Sequence, residues 1–128
     1  MYRVIVTGSR EWTDAAAIEV TLRKRIALHG TDIVVVHGNA RGADKIAAAV
    51  AKRLGLQVES HSAHWEREGR LAGFIRNEHM LRLGADAVLA FKDSFDRTLS
   101  RGGTEHMVRI SKAAGIPVAL ITHQKEAS

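Results

Sequence analysis

The chain of 128 residues contains no cysteine and a single proline, so it has neither disulfides nor thiolate metal ligands. Aromatic residues are scarce as well, at 5% of the sequence, and they do not form the interleaved pattern of a single-strand stacking platform. No apolar run approaches the roughly 20 residues that a membrane-spanning helix needs. These absences favour a cytoplasmic protein of a reducing compartment with no membrane partner.

Several chemical signatures are missing too. Neither the dinucleotide fingerprint GxGxxG nor the Walker motif GxxxxGK[ST] occurs, and no Gly-x-Ser-x-Gly nucleophile elbow is present. Seven histidines are available, but His61 and His64 lack the i, i+4 spacing of a helical metal-ligand pair. We therefore predict no metal and no cofactor.

The composition that remains is typical of one compact domain. Hydrophobic residues make up 45% of the chain, enough for a core within residues 1–122, and a polar tail follows at 123–128. Lys and Arg total 19 against 14 Asp and Glu, a net charge of +5. This excess favours an anionic ligand without distinguishing a nucleotide from a nucleic acid.

Apolar runs alternate with helical periodicities along the whole chain. Strands are predicted at residues 4–7, 33–36, 56–60, 87–91 and 118–121. Between them apolar residues recur at helical spacing, as in Ile18, Leu22 and Ile26. The alternation predicts an α/β fold: a single Rossmann-like domain whose five-stranded parallel sheet has the order 3-2-1-4-5, with helices on both faces.

Three glycine-bearing turns follow strands one, two and four, and this strand order brings them to one crevice. At such an edge, backbone N–H groups and helix N-termini favour a phosphate, and glycine admits close approach of a ligand. The candidate ligand-binding residues in these turns are Thr7, Gly8, Ser9 and Arg10; Gly38, Asn39, Arg41, Gly42, Ala43 and Asp44; and Gly102, Gly103 and Thr104, which follow Arg101.

Two charged residues each leave two interpretations open. Asp44 either accepts hydrogen bonds from ribose hydroxyls or decorates the first turn of a helix, where acidic residues are favoured. Arg76, followed by Asn77, lies in an apolar helical pattern, where a guanidinium costs desolvation unless it is paired. It either pairs with Glu78 or Asp86, or faces the crevice and clamps an anion.

Three ring-bearing residues near the turns carry weaker signals. Trp12 is expected to cover the edge of the core, and Trp65 stays open between core packing and stacking on a nucleotide base. His37, which ends strand two, is expected to be a solvated strand-end histidine.

The ordered set of Thr7-Gly8-Ser9-Arg10, Gly42-Ala43-Asp44, Arg76-Asn77 with Met80, and Gly103-Thr104 resembles the SLOG superfamily. The chain is most similar to the YspA, cpYpsA-related branch, from Tyr2 to about Ile121. The resemblance implies a Rossmann-like fold that binds nucleotides or nucleotide derivatives, often as a homo-oligomer such as a dimer. Its relatives include LOG-type phosphoribohydrolases, which cleave N-glycosidic bonds of nucleoside monophosphates, and DprA, which binds single-stranded DNA.

One stretch departs from the LOG-type pattern Pro-Gly-Gly-x-Gly-Thr-x-x-Glu. Ser100 and Arg101 replace its first two glycines, and Met107 replaces the glutamate that the resemblance implies to be catalytic. Arg76 does match the arginine of those enzymes. The candidate catalytic residues are therefore Arg76, Asp44 and Glu105, although Glu105 lies about 200° around a helix from Met107.

Three hypotheses for the function follow from these observations. The leading one is a sensor or sequestering protein that binds a nucleotide-like small molecule. The alternatives are an N-glycosidic bond hydrolase and, less favoured, a DprA-like nucleic-acid-binding module. Leu83, Phe95 and Leu99 are candidates for the face of a homo-oligomer.

Overall fold

The computed structural model of the protein describes residues 1–93 and 102–122. The predicted polar tail, Arg101, Phe95 and Leu99 lie outside these residues. The strands are β1 (Tyr2–Gly8), β2 (Ile33–His37), β3 (Gln57–Ser60), β4 (Ala87–Phe91) and β5 (Val118–Ile121). The α-helices of the described residues are α1 (Ala15–His29), α2 (Ala43–Arg53), α3 (Trp65–Glu68), α4 (Ala72–Arg82) and α5 (Gly103–Ala113), with a 3-10 turn at Gly69–Leu71.

The five strands form one sheet in the order β3-β2-β1-β4-β5, and all neighbouring pairs are parallel. The predicted α/β fold and strand order are thus confirmed. β1 is central: Val6 pairs with His37 of β2 on one side and with Leu89 of β4 on the other. Since parallel strands end at the same edge, the turns after β1, β2 and β4 emerge side by side.

Alternation along the strands divides the core between the two faces of the sheet. Val4 and Val6 of β1 pack with Ile18 and Leu22 of α1, whereas Ile5 between them packs with Met80 and Met107 of α4 and α5. The face with α1 and α2 also holds Trp12, which is 1% exposed and tilts against Phe91. Successive strand side chains point to opposite faces, so a run of β-branched residues such as 33–36 is buried on both.

Local signals fix the ends of α1. The carboxylate of Asp14 accepts a hydrogen bond from the backbone N–H of Ala17 at 3.0 Å and caps the helix, as Asp and Ser residues commonly do. At the other end Gly30 has a φ of 73° and donates its N–H to the carbonyl of Ile26. Glycine suits this position because it reaches positive φ without steric cost. Across the described residues, no helix has the length and apolar character to cross a membrane.

Candidate functional site

A cavity of about 390 Å³ lies at the carboxyl edge of the sheet, where the three turns meet the start of α4. It is lined by many of the predicted ligand-binding residues: Thr7, Gly8, Ser9, Arg10, Asp44, Arg76, Gly102, Gly103 and Thr104. Gly38, Asn39 and Arg41 line an adjoining cavity instead. Neither cavity is lined by Gly42, Ala43 or Asn77. These three residues therefore support the shape of the site.

The glycines of the first two turns make room for protein rather than for a ligand, contrary to the reason that the sequence suggested. A Cβ on Gly8 would collide with the carbonyl of Phe91 and with the side chain of Ala43, 2.6 Å away. A Cβ on Gly42 would collide with the backbone of Arg10, at 2.6 Å from its carbonyl carbon. Among the glycines of the three turns, only Gly103 has open space above it, with no atom within 4 Å of a Cβ built there.

Backbone N–H groups in the first two turns are likewise bonded within the protein. In the first turn the N–H of Ser9 is bound to the carbonyl of Phe91 at 2.8 Å, and that of Glu11 is bound to the hydroxyl of Ser9. In the second turn Asn39 donates its N–H to Nδ1 of His37 at 3.0 Å. These donors are therefore occupied before any ligand arrives.

The start of α5 differs. The first hydrogen bond of the helix runs from the N–H of His106 to the carbonyl of Gly102, so the N–H groups of Gly103, Thr104 and Glu105 precede the helical ladder. Such N-terminal donors have no partner within their own helix. Because these three residues line the cavity, the start of α5 is the best-placed backbone site for an anion.

Asp44 lies in the first turn of α2, as one of its two interpretations predicted, and its carboxylate has a further structural role. One carboxylate oxygen, Oδ2, accepts the N–H groups of Gly38 at 2.9 Å and Ala40 at 3.4 Å, and so closes the turn between β2 and α2. The side chain is nearly buried, with the residue 5% exposed. Burial raises the pKa of Asp44 to about 6, and the nearby cation of Arg76 and the two N–H groups oppose that rise.

Arg76 faces the crevice rather than Glu78 or Asp86. Its Nη1 donates to the carbonyl of Gly38 at 2.5 Å, and its Nε donates to Oδ1 of Asn77 at 3.0 Å. The amide nitrogen of Asn77 in turn donates to the carbonyl of Gly103 at 3.0 Å. Arg76 and Asn77 therefore bridge the second turn to the start of α5. Burial lowers the pKa of Arg76, and Asp44 counteracts this effect.

The structure adds residues that the sequence did not single out. Phe74 of α4 lines the cavity and stacks on His106 of α5, with ring centroids 4.3 Å apart. Lys92, just after β4, also lines the cavity. None of these belongs to a turn motif, and only the packing of α4 against α5 brings Phe74 to the site.

Two positions of α5 bear on the hydrolase hypothesis, Met107 and Glu105, and their surroundings differ. Met107, at the position of the LOG-type glutamate, is fully buried in the core and is not among the residues that line the cavity. Glu105 does line the cavity and forms an ion pair with Lys92. The other oxygen of Glu105, Oε1, is buried and has no hydrogen-bond partner among the described residues.

The rings near the turns divide into buried and exposed ones. His37 is 3% exposed, so its prediction as a solvated residue was wrong; it accepts the Asn39 N–H because the turn folds back over it. Burial lowers the pKa of His37. Trp65 is 50% exposed and lines the cavity, with the guanidinium carbon of Arg10 5.8 Å from its ring centroid. In the described part of the chain, no group of three or more histidine and acidic side chains could hold a metal ion.

A parallel sheet in this order, with helices packed on it, defines a Rossmann-like domain. A sequence model of the YspA, cpYpsA-related SLOG family matches residues 2–67, and the chain belongs to this family. It is also 44% identical over 124 residues to the Gene 61 protein of Mycobacterium phage D29, which covers 92% of this chain and 94% of the phage protein.

Proposed function

We propose that the protein binds a nucleotide or nucleotide-derived small molecule in the cavity at the carboxyl edge of the sheet, in a sensing or sequestering role. The observation that carries the proposal is the convergence, on one cavity, of the open start of α5 with the guanidinium groups of Arg10 and Arg76. Helix N-termini and guanidinium forks are both complementary to phosphate. Membership of a SLOG family supports the same class of ligand.

The phosphate would accept hydrogen bonds from the N–H groups of Gly103 and Thr104. Arg76 would neutralise its charge, because the hydrogen bonds to Gly38 and Asn77 fix the orientation of its guanidinium. Trp65 offers a half-exposed ring at the rim of the cavity, where a nucleotide base would stack. Asp44 and the carboxylate of Glu105 offer acceptors for ribose hydroxyls.

The test is to incubate the pure protein with a mixture of mononucleotides, cyclic nucleotides, NAD and ADP-ribose, and to analyse the retained and free fractions by mass spectrometry. An intact species in the retained fraction supports the proposal. Arg76→Ala should then weaken its affinity about 30-fold or more, since loss of a buried charged partner costs roughly 2–5 kcal/mol.

Arg82→Ala is the matched control, because Arg82 belongs to the same helix and lies outside this cavity. Equal affinities of the two variants for the retained species would show that Arg76 does not hold the ligand. Retention of none of these compounds would contradict the proposal as a whole.

One observation favours a second candidate, a nucleotide N-glycosidase. Both carboxylates proposed to replace the LOG-type glutamate, Asp44 and Glu105, line the same cavity as Arg76. The raised pKa of Asp44, about 6, is typical of groups that exchange protons near neutral pH. Arg76 would orient the phosphate while a carboxylate stabilised the ribosyl cation or activated water.

The same incubation distinguishes this candidate, because hydrolysis would release free base and ribose phosphate into the unbound fraction. Asp44→Asn and Glu105→Gln should abolish that release if the carboxylates are catalytic. Absence of released base over the whole mixture would leave binding as the function.

A further inference from the structure

A second cavity of about 460 Å³ adjoins the first one, on the side of the turn between β2 and α2. Arg10, Ala40, Trp65 and Arg76 line both cavities. The two spaces therefore meet at a boundary formed by two guanidinium groups and one aromatic ring. A ligand that extended from the first cavity past this boundary would enter the second.

The charges that line the two cavities differ. The first contains the carboxylates of Glu11, Asp44 and Glu105 beside its cations. The second is lined by the guanidinium groups of Arg10, Arg41 and Arg76, and no aspartate or glutamate of the described residues lines it. Its field therefore favours a group that carries negative charge.

Arg41 is available to such a group. It pairs with Glu11 at 2.9 Å, but the side chains of both residues are more than 70% exposed, and ion pairs in this setting contribute little stability. Exchange of Glu11 for a doubly charged phosphate would replace a weak partner by one that accepts a bidentate guanidinium. Arg41 lines the second cavity and not the first.

The polar wall of the second cavity is also ordered. Asn39 has a φ of 57°, a left-handed conformation that asparagine adopts more readily than most residues. Its side-chain amide donates to the hydroxyl of Ser62 at 3.0 Å, which joins the turn after β2 to the segment after β3. This hydrogen bond holds together the two segments that form the polar wall of the cavity.

We propose that the second cavity binds a further phosphate group, so that the preferred ligand is a nucleotide with more than one phosphate. This inference rests on the proposed nucleotide-binding function. A single phosphate at the start of α5 would leave Arg41 with the exposed carboxylate of Glu11 as its counter-charge. A second phosphate past the Arg10–Trp65 boundary would give Arg41 a stronger partner.

The test is isothermal titration calorimetry of the whole chain with AMP and ADP, and with GMP and GDP, in the wild type and two variants. Arg41→Gln removes a cation that lines only the second cavity, and Arg70→Gln removes one that lines only the first. Both side chains are exposed, and both substitutions lower the net charge equally. Circular dichroism of each variant checks that it is folded.

For the wild type we expect a diphosphate to bind about tenfold more tightly than its monophosphate, as one further charge-assisted contact implies. Arg41→Gln should reduce that ratio to about two, because the diphosphate would lose more affinity than the monophosphate. Arg70→Gln should weaken both ligands by a common factor and keep the ratio.

Equal affinity for mono- and diphosphates, or an unchanged ratio in Arg41→Gln, would overturn the inference while nucleotide binding itself still stood. If none of the four nucleotides bound and the wider mixture also gave no retained species, the result would contradict nucleotide binding itself. The two failures are therefore distinguishable.

Discussion

At the scale of single residues, Asp44 connects the fold to the site. Its carboxylate closes the turn after β2 by accepting two N–H groups and also lies beside Arg76 in the cavity. The sequence identified Asp44 as a candidate because it follows Gly42-Ala43, but its partners belong to a turn whose shape depends on β1. The sequence therefore predicted that Asp44 belongs to the site, but it did not predict the hydrogen bonds that Asp44 forms.

Asp44→Asn should change how stability depends on pH. The folded pKa of Asp44 is about 6, above the ordinary aspartate pKa of 3.8, so the folded state releases this proton less readily than the unfolded one. Wild-type stability should fall as pH rises from about 4 to about 7, by on the order of 2 kcal/mol. An asparagine keeps an acceptor oxygen but does not titrate, so this contribution to the slope should vanish.

Urea denaturation of the wild type and Asp44→Asn at a series of pH values measures this slope. Asp32→Asn is the control, since Asp32 is largely exposed. Parallel stability curves for the wild type and Asp44→Asn would show that burial does not perturb this carboxyl. The absolute offset between the curves carries less information, because the substitution also removes a counter-charge of Arg76.

At the scale of elements, the glycine turns have different physical purposes that their sequences do not reveal. Gly42 has a φ of 79° and a ψ of −128°, a conformation open almost only to glycine, and its missing Cβ lets the first turn pack against it. Gly103 has an ordinary conformation at the start of α5 and open space above it. Only contacts between elements separate these two cases.

Gly42→Ala should therefore destabilise the protein by about 2–4 kcal/mol, since it adds backbone strain and a collision with the backbone of Arg10. Gly103→Ala should change stability by less than about 1 kcal/mol and should favour the helix slightly. Thermal or urea unfolding of both variants compares them directly. A similar cost for both substitutions would contradict the assignment of Gly42 as a packing glycine.

At the scale of the whole molecule, one ionic cluster connects three separate parts of the chain. The guanidinium of Arg3 in β1 donates two hydrogen bonds to Glu59 in β3, the shorter at 2.8 Å, and one to the carbonyl of Gly84 before β4. His61 contacts the same carboxylate at 2.7 Å. Hydrogen bonding to Arg3, followed by that to His61, lowers the pKa of Glu59 to about 2.

Glu59→Gln should remove stability at neutral pH, and the loss should shrink on acidification. The folded pKa of Glu59 lies below the ordinary glutamate pKa of 4.5, so its contribution to stability is complete above that pH and disappears as the pH falls towards 2. Since the carboxylate is about one-third exposed, solvent screening limits the effect to about 1 kcal/mol.

Chemical denaturation at pH 7 and pH 3 tests this expectation, with Glu66→Gln on the exposed short helix α3 as the control. A difference between wild type and Glu59→Gln that stayed constant at the two pH values would indicate that the cluster contributes through packing alone.

How much of the protein was predictable differs between the sheet and the site. The five strands lie where β-branched and apolar runs predicted them, and the signal is clearest for the central strands β1, β2 and β4, because burial on both faces leaves a strand little other composition. The bounds of β4 and β5 agree with the predicted ones, whereas β1 begins at Tyr2 rather than Val4. The end of a strand depends on the neighbouring strand: β1 extends to Tyr2 because Tyr2 pairs with Ile33 of β2.

The sequence by itself determined the fold, the strand order and the set of turns at the carboxyl edge, because periodicity and turn residues are local properties. The tertiary structure decided that the start of α5 lines the cavity, that Arg76 turns towards Gly38, and that Met107 lies in the core while Glu105 lines the cavity. These outcomes depend on contacts between residues far apart in the chain, and such contacts form only when the helices pack on the sheet.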